Sequence, residues 1–353
     1  TILGTDYKVS FSEKGYQDLN DQLLNNYSAI FLLVDDNTQK HCLPHFLDNI
    51  EVLRDLPVIS IGAGEVNKNL ETCKEVWNQL SELGADRKSL LINLGGGVVT
   101  DLGGFVAAAF RRGIHFINIP TTLLSMVDAS VGGKTGVDFQ GLKNQIGIIT
   151  NPEMVIVDSM YLKTLPENEY RSGYSEMLKH GIISDAEFFK KLSKYHSFEE
   201  NDISPLIHHS VSIKNSVVTG DPLEKNLRKI LNFGHTLGHA IESYFLVNSD
   251  KKSLLHGEAI AIGMILEAYL SSRMTGLSIE ATKEIKSVFL GIFPRIQFNE
   301  EDINSIMALL KYDKKNSHGK VNFVLLEAIG KPIIDIEVGK ENFSAAFDFY
   351  KAD

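Results

Sequence analysis

The first 160 residues alternate between short apolar runs and segments with helical spacing. SAIFLLVDDN (28–37) and PVISIGAGE (57–65) read as buried strands, the first running into a polar loop and the second ending in small residues. In NLETCKEVWNQLSELG (69–84), Leu70, Cys73, Val76, Trp77, Leu80 and Leu83 recur every three or four positions, which predicts a helix stopped by Gly84. SLLINLGGGVV (89–99) is an apolar strand ending in three glycines. DLGGFVAAAFRRG (101–113) predicts a small-residue helix, and IHFINIPTT (114–122) and MVIVD (154–158) predict two further strands. Continuously apolar strands separated by helices specify a parallel sheet covered on both faces. After about residue 165 the pattern changes. ENEYRSGYSEMLKHGII, AEFFKKLSKYH, ISPLIHHSVSIKNSVV, LRKILNFGHTLGHAIESYF, GEAIAIGMILEAYLSSRM and INSIMALLKY all carry helical spacing. FVLLEAIGKPIIDIEV (323–338) is the exception and reads as a late strand pair. The expectation is an α/β domain over 1–165 and an all-α domain over 166–353, divided near LKTLPENE (162–169), where Pro166 punctuates.

Composition narrows the function. The chain has 353 residues, 43% hydrophobic and 23% charged, which suits two globular cores. Its formal net charge of −10 argues against nucleic acid or an anionic membrane as partner. An anionic small molecule would need a local basic pocket. Two cysteines, Cys42 and Cys73, suit a reducing compartment and no disulfide scaffold. No apolar run reaches the roughly 20 residues of a membrane span, and TILGTDYKVSFSEKGY lacks a basic end followed by an apolar core. A cytoplasmic protein without membrane contact is expected.

Candidate chemistry concentrates in a few stretches. RKILNFGHTLGHAIESYFLVNSDKKSLLHGEAIAIGM (228–264) holds His235, His239 and His256 within apolar helical patterns. His235 and His239 are four apart and share a helix face, a common way to present two imidazoles to one metal ion. A single buried histidine usually just finds a hydrogen-bond partner; three together favour a metal. Gly95, Gly96 and Gly97 separate a strand from a helix, where glycine lets a phosphate approach the amides of a helix N-terminus. A tight βα turn is the plainer alternative. Asp35 and Asn37 follow the first strand, and Glu65 to Lys68 follow the second. Ligands of such sheets bind at the carboxyl ends of strands, so these loops together suit a dinucleotide. PTTLLSMVDASVGGKTGVDFQGLKNQIG (120–147) concentrates Thr121, Thr122, Asp128, Lys134, Lys143 and Asn144 among glycines. Lysines so framed grip phosphate or carboxylate, although a solvated loop would look similar. In SGYSEMLKHGII (172–183), Glu176 and Lys179 share a helix face, as a surface ion pair would. Their apolar neighbours instead suggest burial, where a carboxylate needs a strong partner such as a metal. Lys214 and Arg228 lie on helical patterns, and Lys314 and Lys315 lie in DKKNSHGK; surface charge is the default for all four.

Taken together, GGGVVTDLGGFVAAAFRRGIHFINIPTTLLSMVDASVGGKTGVDFQGLKNQIG, SEMLKHG, RKILNFGHTLGHAIE, LHGEAIAIGM and YDKKNSHGKVNFVLL resemble the 3-dehydroquinate synthase family, in the family's order and over about residues 30 to 330. The resemblance implies a Rossmann-like NAD-binding α/β domain, an all-α metal-binding domain and a homodimer. It implies zinc, or cobalt in its place, on Glu176, His235 and His256, with His239 beside the metal and not on it, which revises the spacing argument. It implies substrate positions at Arg112, Asp128, Lys134, Asn144, Lys179, Lys214, Arg228, Asn232, His239 and one of Lys314 and Lys315, with Arg112 reaching the neighbouring subunit. Asp128, Lys134, Lys179, Asn232 and His239 would form the catalytic network. Asp35, Asn37, Glu65, Lys68, Gly97, Asp101, Thr121, Thr122, Lys143, Thr164 and Glu169 would surround NAD. SDKKSL (249–254) and DPLEKNLR (221–228) depart from the family's pattern without touching a matched ligand. The implied reaction turns 3-deoxy-D-arabino-heptulosonate 7-phosphate into 3-dehydroquinate and phosphate through transient oxidation, elimination, re-reduction and aldol closure. Rival readings are another sugar phosphate cyclase, a metal-dependent polyol dehydrogenase and a non-catalytic binding protein.

Overall fold

The computed structural model describes residues 1–23, 27–50, 56–140, 142–194, 202–248, 250–310, 321–339 and 341–353. The chain forms two compact units, Thr1–Pro166 with Asp202–Thr219, and Glu167–Asn201 with Gly220–Asp353.

The first unit is built on strands β1 (Ile2–Leu3), β2 (Lys8–Phe11), β3 (Ile30–Asp35), β4 (Val58–Ile61), β5 (Leu90–Gly95), β6 (His115–Pro120) and β9 (Met154–Val157). They pair in the order β1-β2-β9-β6-β5-β3-β4, parallel throughout except at β1. Every position of β5 and β9 is buried, as expected of strands covered on both faces. Helices α1 (Ser12–Leu23), α2 (Asp36–His41), α3 (Leu43–Asp48), α4 (Leu70–Glu82) and α5 (Gly97–Ala109) complete the layers. The α4 face of Cys73, Val76 and Leu80 packs with Phe31, Leu33, Leu91, Val99 and Val106 in one core. Chain order reverses between β3 and β5, so the loops leaving these strands flank a topological switch point, where open α/β sheets bind ligands.

Four expectations need correction here. No polar loop follows β3: α2 starts at once, with Asp35 as its N-cap in a capping box with Thr38. The helix after the glycines begins at Gly97, four residues early, because small residues without apolar periodicity hide its first turn. The glycine-rich stretch 120–147 is not one loop. It contains a π-helical turn, Ser125–Ala129, and an antiparallel hairpin of β7 (Lys134–Phe139) and β8 (Leu142–Ile149). Finally, α8 (Ser204–Gly220) joins the first unit through residue 219, so the division is not a single cut near 165. The cause is specific packing: Tyr7 donates to Asn215 Oδ1 at 3.1 Å, Asn215 Nδ2 donates to the Leu3 carbonyl at 2.9 Å, and His208 lies against Phe11.

The second unit contains α6 (Glu167–Ser184), α7 (Ala186–Leu192), α9 (His235–Val247), α10 (His256–Met274), α11 (Ile279–Ile292), α12 (Glu300–Leu309) and α13 (Glu341–Lys351). It is helical but not purely so: β10 (Asn322–Ala328) and β11 (Lys331–Glu337) form the late hairpin. The helical pattern from Leu227 is interrupted. Leu227–Asn232 is a 3₁₀ segment, and α9 starts only after Gly234, whose φ of 79° is left-handed. Helices α9 and α10 touch backbone to backbone: a Cβ at Gly263 would lie 2.0 Å from the Gly234 carbonyl oxygen. Among the described residues no helix is long and apolar enough to cross a membrane.

Candidate functional site

Functional side chains gather in two sets, one in each unit. In the first unit, Gly95 ends β5, Gly96 is the N-cap of α5 and Gly97 opens that helix. Gly96 offers no side chain to the helix N-terminus, which leaves the first amides to an anionic ligand. Asp35 closes β3 and is buried, with one oxygen accepting from the Thr38 amide; Asn37 is exposed in the first turn of α2. Thr121 is buried at the end of β6, its amide bonded to the Gly95 carbonyl, and Thr122 Oγ1 accepts from the Ser125 amide.

Lys68 organises the flank of this switch point. It is 4% exposed, and its Nζ donates to Asp101 Oδ2 at 2.6 Å and to Asn144 Oδ1 at 2.7 Å. Burial works against its charge, but Asp101, Glu65 and Asp138 outweigh burial and hold its pKa above the ordinary lysine value. Asp138 accepts from the Asn144 amide, and Lys143 pairs with Glu65 at 3.4 Å. These residues, 65 to 144 in the chain, are brought together around α5 and the β7–β8 hairpin.

Lys214, on α8, is 6% exposed and not a surface charge. Its Nζ donates to both Oδ1 and the carbonyl of Asp128 at 2.5 Å. Lys134 opens β7 and is exposed. Arg112 stands apart from these cations. It lines a basic hollow of about 370 Å³ with Arg87 and Arg111, and its φ of 72° follows 49° at Arg111. Thr164 is exposed at the end of a 3₁₀ turn, and Glu169 belongs to the second unit, on the first turn of α6.

The second set centres on Glu176. It is 0% exposed on α6, with Lys179, itself 1% exposed, against its Oε2. This is a buried pair and not a surface one. Glu176 Oε1 is 3.7 Å from His235 Nε2 and 4.0 Å from His256 Nε2. The other nitrogen of each ring is taken: His235 Nδ1 lies 3.1 Å from the Phe233 carbonyl, and His256 Nδ1 lies 3.3 Å from Glu242 Oε2. Both partners are acceptors, so each Nδ1 is the donor and each Nε2 is left facing Glu176. Two ring nitrogens and a carboxylate oxygen directed at one point form a donor set that could hold a cation. Donor atoms on tetrahedral zinc are roughly 3.3–3.5 Å apart, given bond lengths of about 2.0–2.2 Å. The present spacings of 3.7 and 4.0 Å would need to contract by roughly 0.2–0.7 Å, within the reach of side-chain rotation, so these residues fit a divalent cation. His239 lies on the same helix face, its ring centroid 5.1 Å from that of His235 and 5.8 Å from that of His256. The ligand nitrogens of the three histidines also lie within 4.8 Å of one another.

Arg228 is 3% exposed, its backbone amide and those of Lys225 and Asn226 capped by Asp221, and its guanidinium bonded to the Pro222 carbonyl at 2.9 Å. It sits on the 3₁₀ segment and not on a helix. Asn232 ends that segment and donates to Glu224 Oε1 at 2.8 Å. Lys314 and Lys315 lie outside the described residues.

Sequence reasoning missed the two buried acids on the histidine-bearing helices. Glu242 faces His256, and Glu267 accepts from the Gly234 amide at 2.6 Å and the Leu237 amide at 3.1 Å. Their spacing was available as a signal: Glu242 follows His235 by seven positions and Glu267 follows His256 by eleven, two and three helical turns.

Comparison with known proteins identifies the family. The 3-dehydroquinate synthase N-terminal model matches residues 58–172, and the C-terminal model matches residues 173–316. The chain is 39% identical to a 3-dehydroquinate synthase of Parabacteroides distasonis over 350 residues, 98% of each protein. It is 41% identical to one of Leptospira interrogans over 305 residues, covering 83% of this chain and 82% of the relative. Among solved structures it resembles 2-epi-5-epi-valiolone synthase from Streptomyces hygroscopicus with NAD+ and Zn2+ bound, with a TM-score of 0.85 and 26% identity over 99% of this chain and 98% of that one. Matched by both domain models and by relatives along nearly its whole length, the chain belongs to the 3-dehydroquinate synthase family.

Proposed function

We propose that the two residue sets serve one reaction, the conversion of 3-deoxy-D-arabino-heptulosonate 7-phosphate to 3-dehydroquinate and phosphate. The observation that carries the reading is the convergence of Glu176 Oε1 with the Nε2 atoms of His235 and His256, each ring anchored through Nδ1. NAD is assigned to the switch-point set: Asp35, Asn37, Glu65, Lys68, Gly95, Gly96, Gly97, Asp101, Thr121, Thr122, Lys143, Thr164 and Glu169. A zinc or cobalt ion is assigned to Glu176, His235 and His256, with His239 beside them. When bound, the dinucleotide would take up and return one hydride while the cation polarises the reacting carbinol and ketone oxygens, acidifying the neighbouring C–H so that phosphate can be eliminated.

The chain's own residues bind and orient. The substrate carries a phosphate and a carboxylate, whereas the protein carries a net charge of −10, so fixed local cations are required. Lys134, Lys179, Lys214 and Arg228 supply them, with Asn144 and Asn232 as neutral donors. Arg228 is pre-organised: Pro222 and the Asp221 cap fix its guanidinium and backbone before any ligand arrives. Asp128 holds Lys214 from two oxygens, so the ammonium is aimed without substrate. Arg112 is assigned to the substrate of a neighbouring subunit in a homodimer. Its hollow of arginines, held by two successive left-handed residues, supports an outward role. Two buried free cysteines support a cytoplasmic location.

The test is to incubate the protein with the heptulosonate phosphate and catalytic NAD and follow inorganic phosphate. Phosphate release without net NADH is expected. Stoichiometric NADH without phosphate would replace this reading by a polyol dehydrogenase. The likeness to a valiolone synthase favours one second reading, a cyclase for another sugar phosphate, and turnover of a sugar phosphate without a carboxylate in preference to the heptulosonate would select it.

A further inference from the structure

We propose that Glu242 is a positioning residue for His256, fixing the tautomer and rotation of its ring so that Nε2 is presented to the bound cation. The inference rests on the cation reading of Glu176, His235 and His256. Glu242 is 5% exposed and lies on α9, two turns beyond His235 and on the same face. Its Oε2 is 3.3 Å from His256 Nδ1, on the first residue of α10. A carboxylate this deeply buried is costly unless a donor satisfies it. The ring of His256 therefore stands between two buried carboxylates, Glu242 at Nδ1 and Glu176 at Nε2.

The two imidazoles are oriented by different means. His235 donates to the carbonyl of Phe233, two residues away in the chain, so its geometry is fixed by the backbone turn that precedes α9. His256 begins a helix after a long connection, and its Nδ1 faces a side chain from the paired helix. An ionised carboxylate also raises the basicity of the imidazole it accepts from, which strengthens the Nε2 bond to a metal. Glu242 thus couples the pairing of α9 and α10 to the direction of a ligand nitrogen.

The experiment uses the full chain, stripped of metal and titrated with Co2+, with affinity from chelator competition and geometry from the visible absorption band. In E242M, which keeps the side-chain length and removes the acceptor, Co2+ affinity is expected to fall 10–100-fold and the band to shift. The melting temperature of the metal-free protein should stay within a few degrees of wild type. E242Q, whose amide oxygen still accepts from Nδ1, should recover most of the affinity. Wild-type affinity and spectrum in E242M overturn the proposal, as does an E242Q as weak as E242M. If E242M does not fold, E242D replaces it: its shorter carboxylate falls short of Nδ1, so weakened binding is expected and unchanged binding overturns the proposal. H256A is the control for the underlying reading. If it binds Co2+ as tightly as wild type, the cation assignment itself fails; if it is weakened while E242M is not, only the role of Glu242 fails.

Discussion

Lys68 has a buried ammonium whose charge is held chiefly by Asp101, 2.6 Å away, with Glu65 and Asp138 adding to it. Removing one member of such a pair leaves the other uncompensated, at a cost of about 3–5 kcal/mol. Lys68→Ala is therefore expected to lower unfolding stability by about 3–5 kcal/mol in urea at pH 7. The folded pKa of Lys68 lies above its unfolded value, so its contribution is complete below about 10.4 and fades as pH rises through the folded pKa. The gap between variant and wild type should narrow at strongly alkaline pH; a loss under about 1 kcal/mol at pH 7 would contradict the buried-pair account. At this scale the chain was partly legible. Glu176, Lys179, Lys214 and Arg228 were identifiable as chemistry-bearing; apolar neighbours pointed to burial of the first two, but the burial of Lys214 and Arg228 was hidden, because a charge on a helical pattern looks the same facing solvent or core. Glu242 and Glu267 were passed over for the same reason. Cys73 was legible as a packing residue from its helix face, and both cysteines are buried: desolvation pushes the Cys42 thiol up to about 11 and that of Cys73 up to about 12.

The pairing of α9 with α10 joins the sequence to the metal geometry. Gly263 lets the two backbones meet, and Glu267 caps the first turn of α9 from the other helix. A methyl at 263 meets a backbone oxygen, which cannot rotate away as a side chain would. Gly263→Ala is expected to cost about 3 kcal/mol and to weaken Co2+ binding, because His235 rides on α9 and His256 on α10. A variant with unchanged melting temperature and unchanged Co2+ affinity would show that the helix spacing is not what sets the site. Elements were legible where periodicity was strong, as in α4, or where the apolar run was long, as in β5 and α10. The hairpin of β7 and β8 was not, since its glycines and polar residues neither alternate nor form an apolar run. The break at Phe233–Gly234 was hidden because apolar spacing continues across it; only the left-handed glycine marks it.

Across the molecule, a cation held by α6, α9 and α10 should stabilise the folded state in proportion to its affinity, about 2.7 kcal/mol at a free concentration one hundred times the dissociation constant. Dialysis against a strong chelator is expected to abolish phosphate release and lower the melting temperature, and added Zn2+ or Co2+ should restore both. Full phosphate release by the chelated protein would exclude a catalytic cation. The change from strand–helix alternation to helices near residue 165 was visible in the pattern. The return of α8 to the first unit was not, because it depends on Tyr7 and Leu3 meeting Asn215, more than 200 positions away.

That return has a consequence for how the protein is made. A ribosome adding roughly 5–20 residues per second delivers the seven-stranded sheet well before the helix that bonds to its amino-terminal edge. Until residue 219 has left the exit tunnel, Leu3 and Tyr7 wait beside water, and everything from 167 to 201 emerges in the interval. Cutting the gene after Pro166 would release a fragment missing one of its own layers, so neither half should be expected to behave as an independent product.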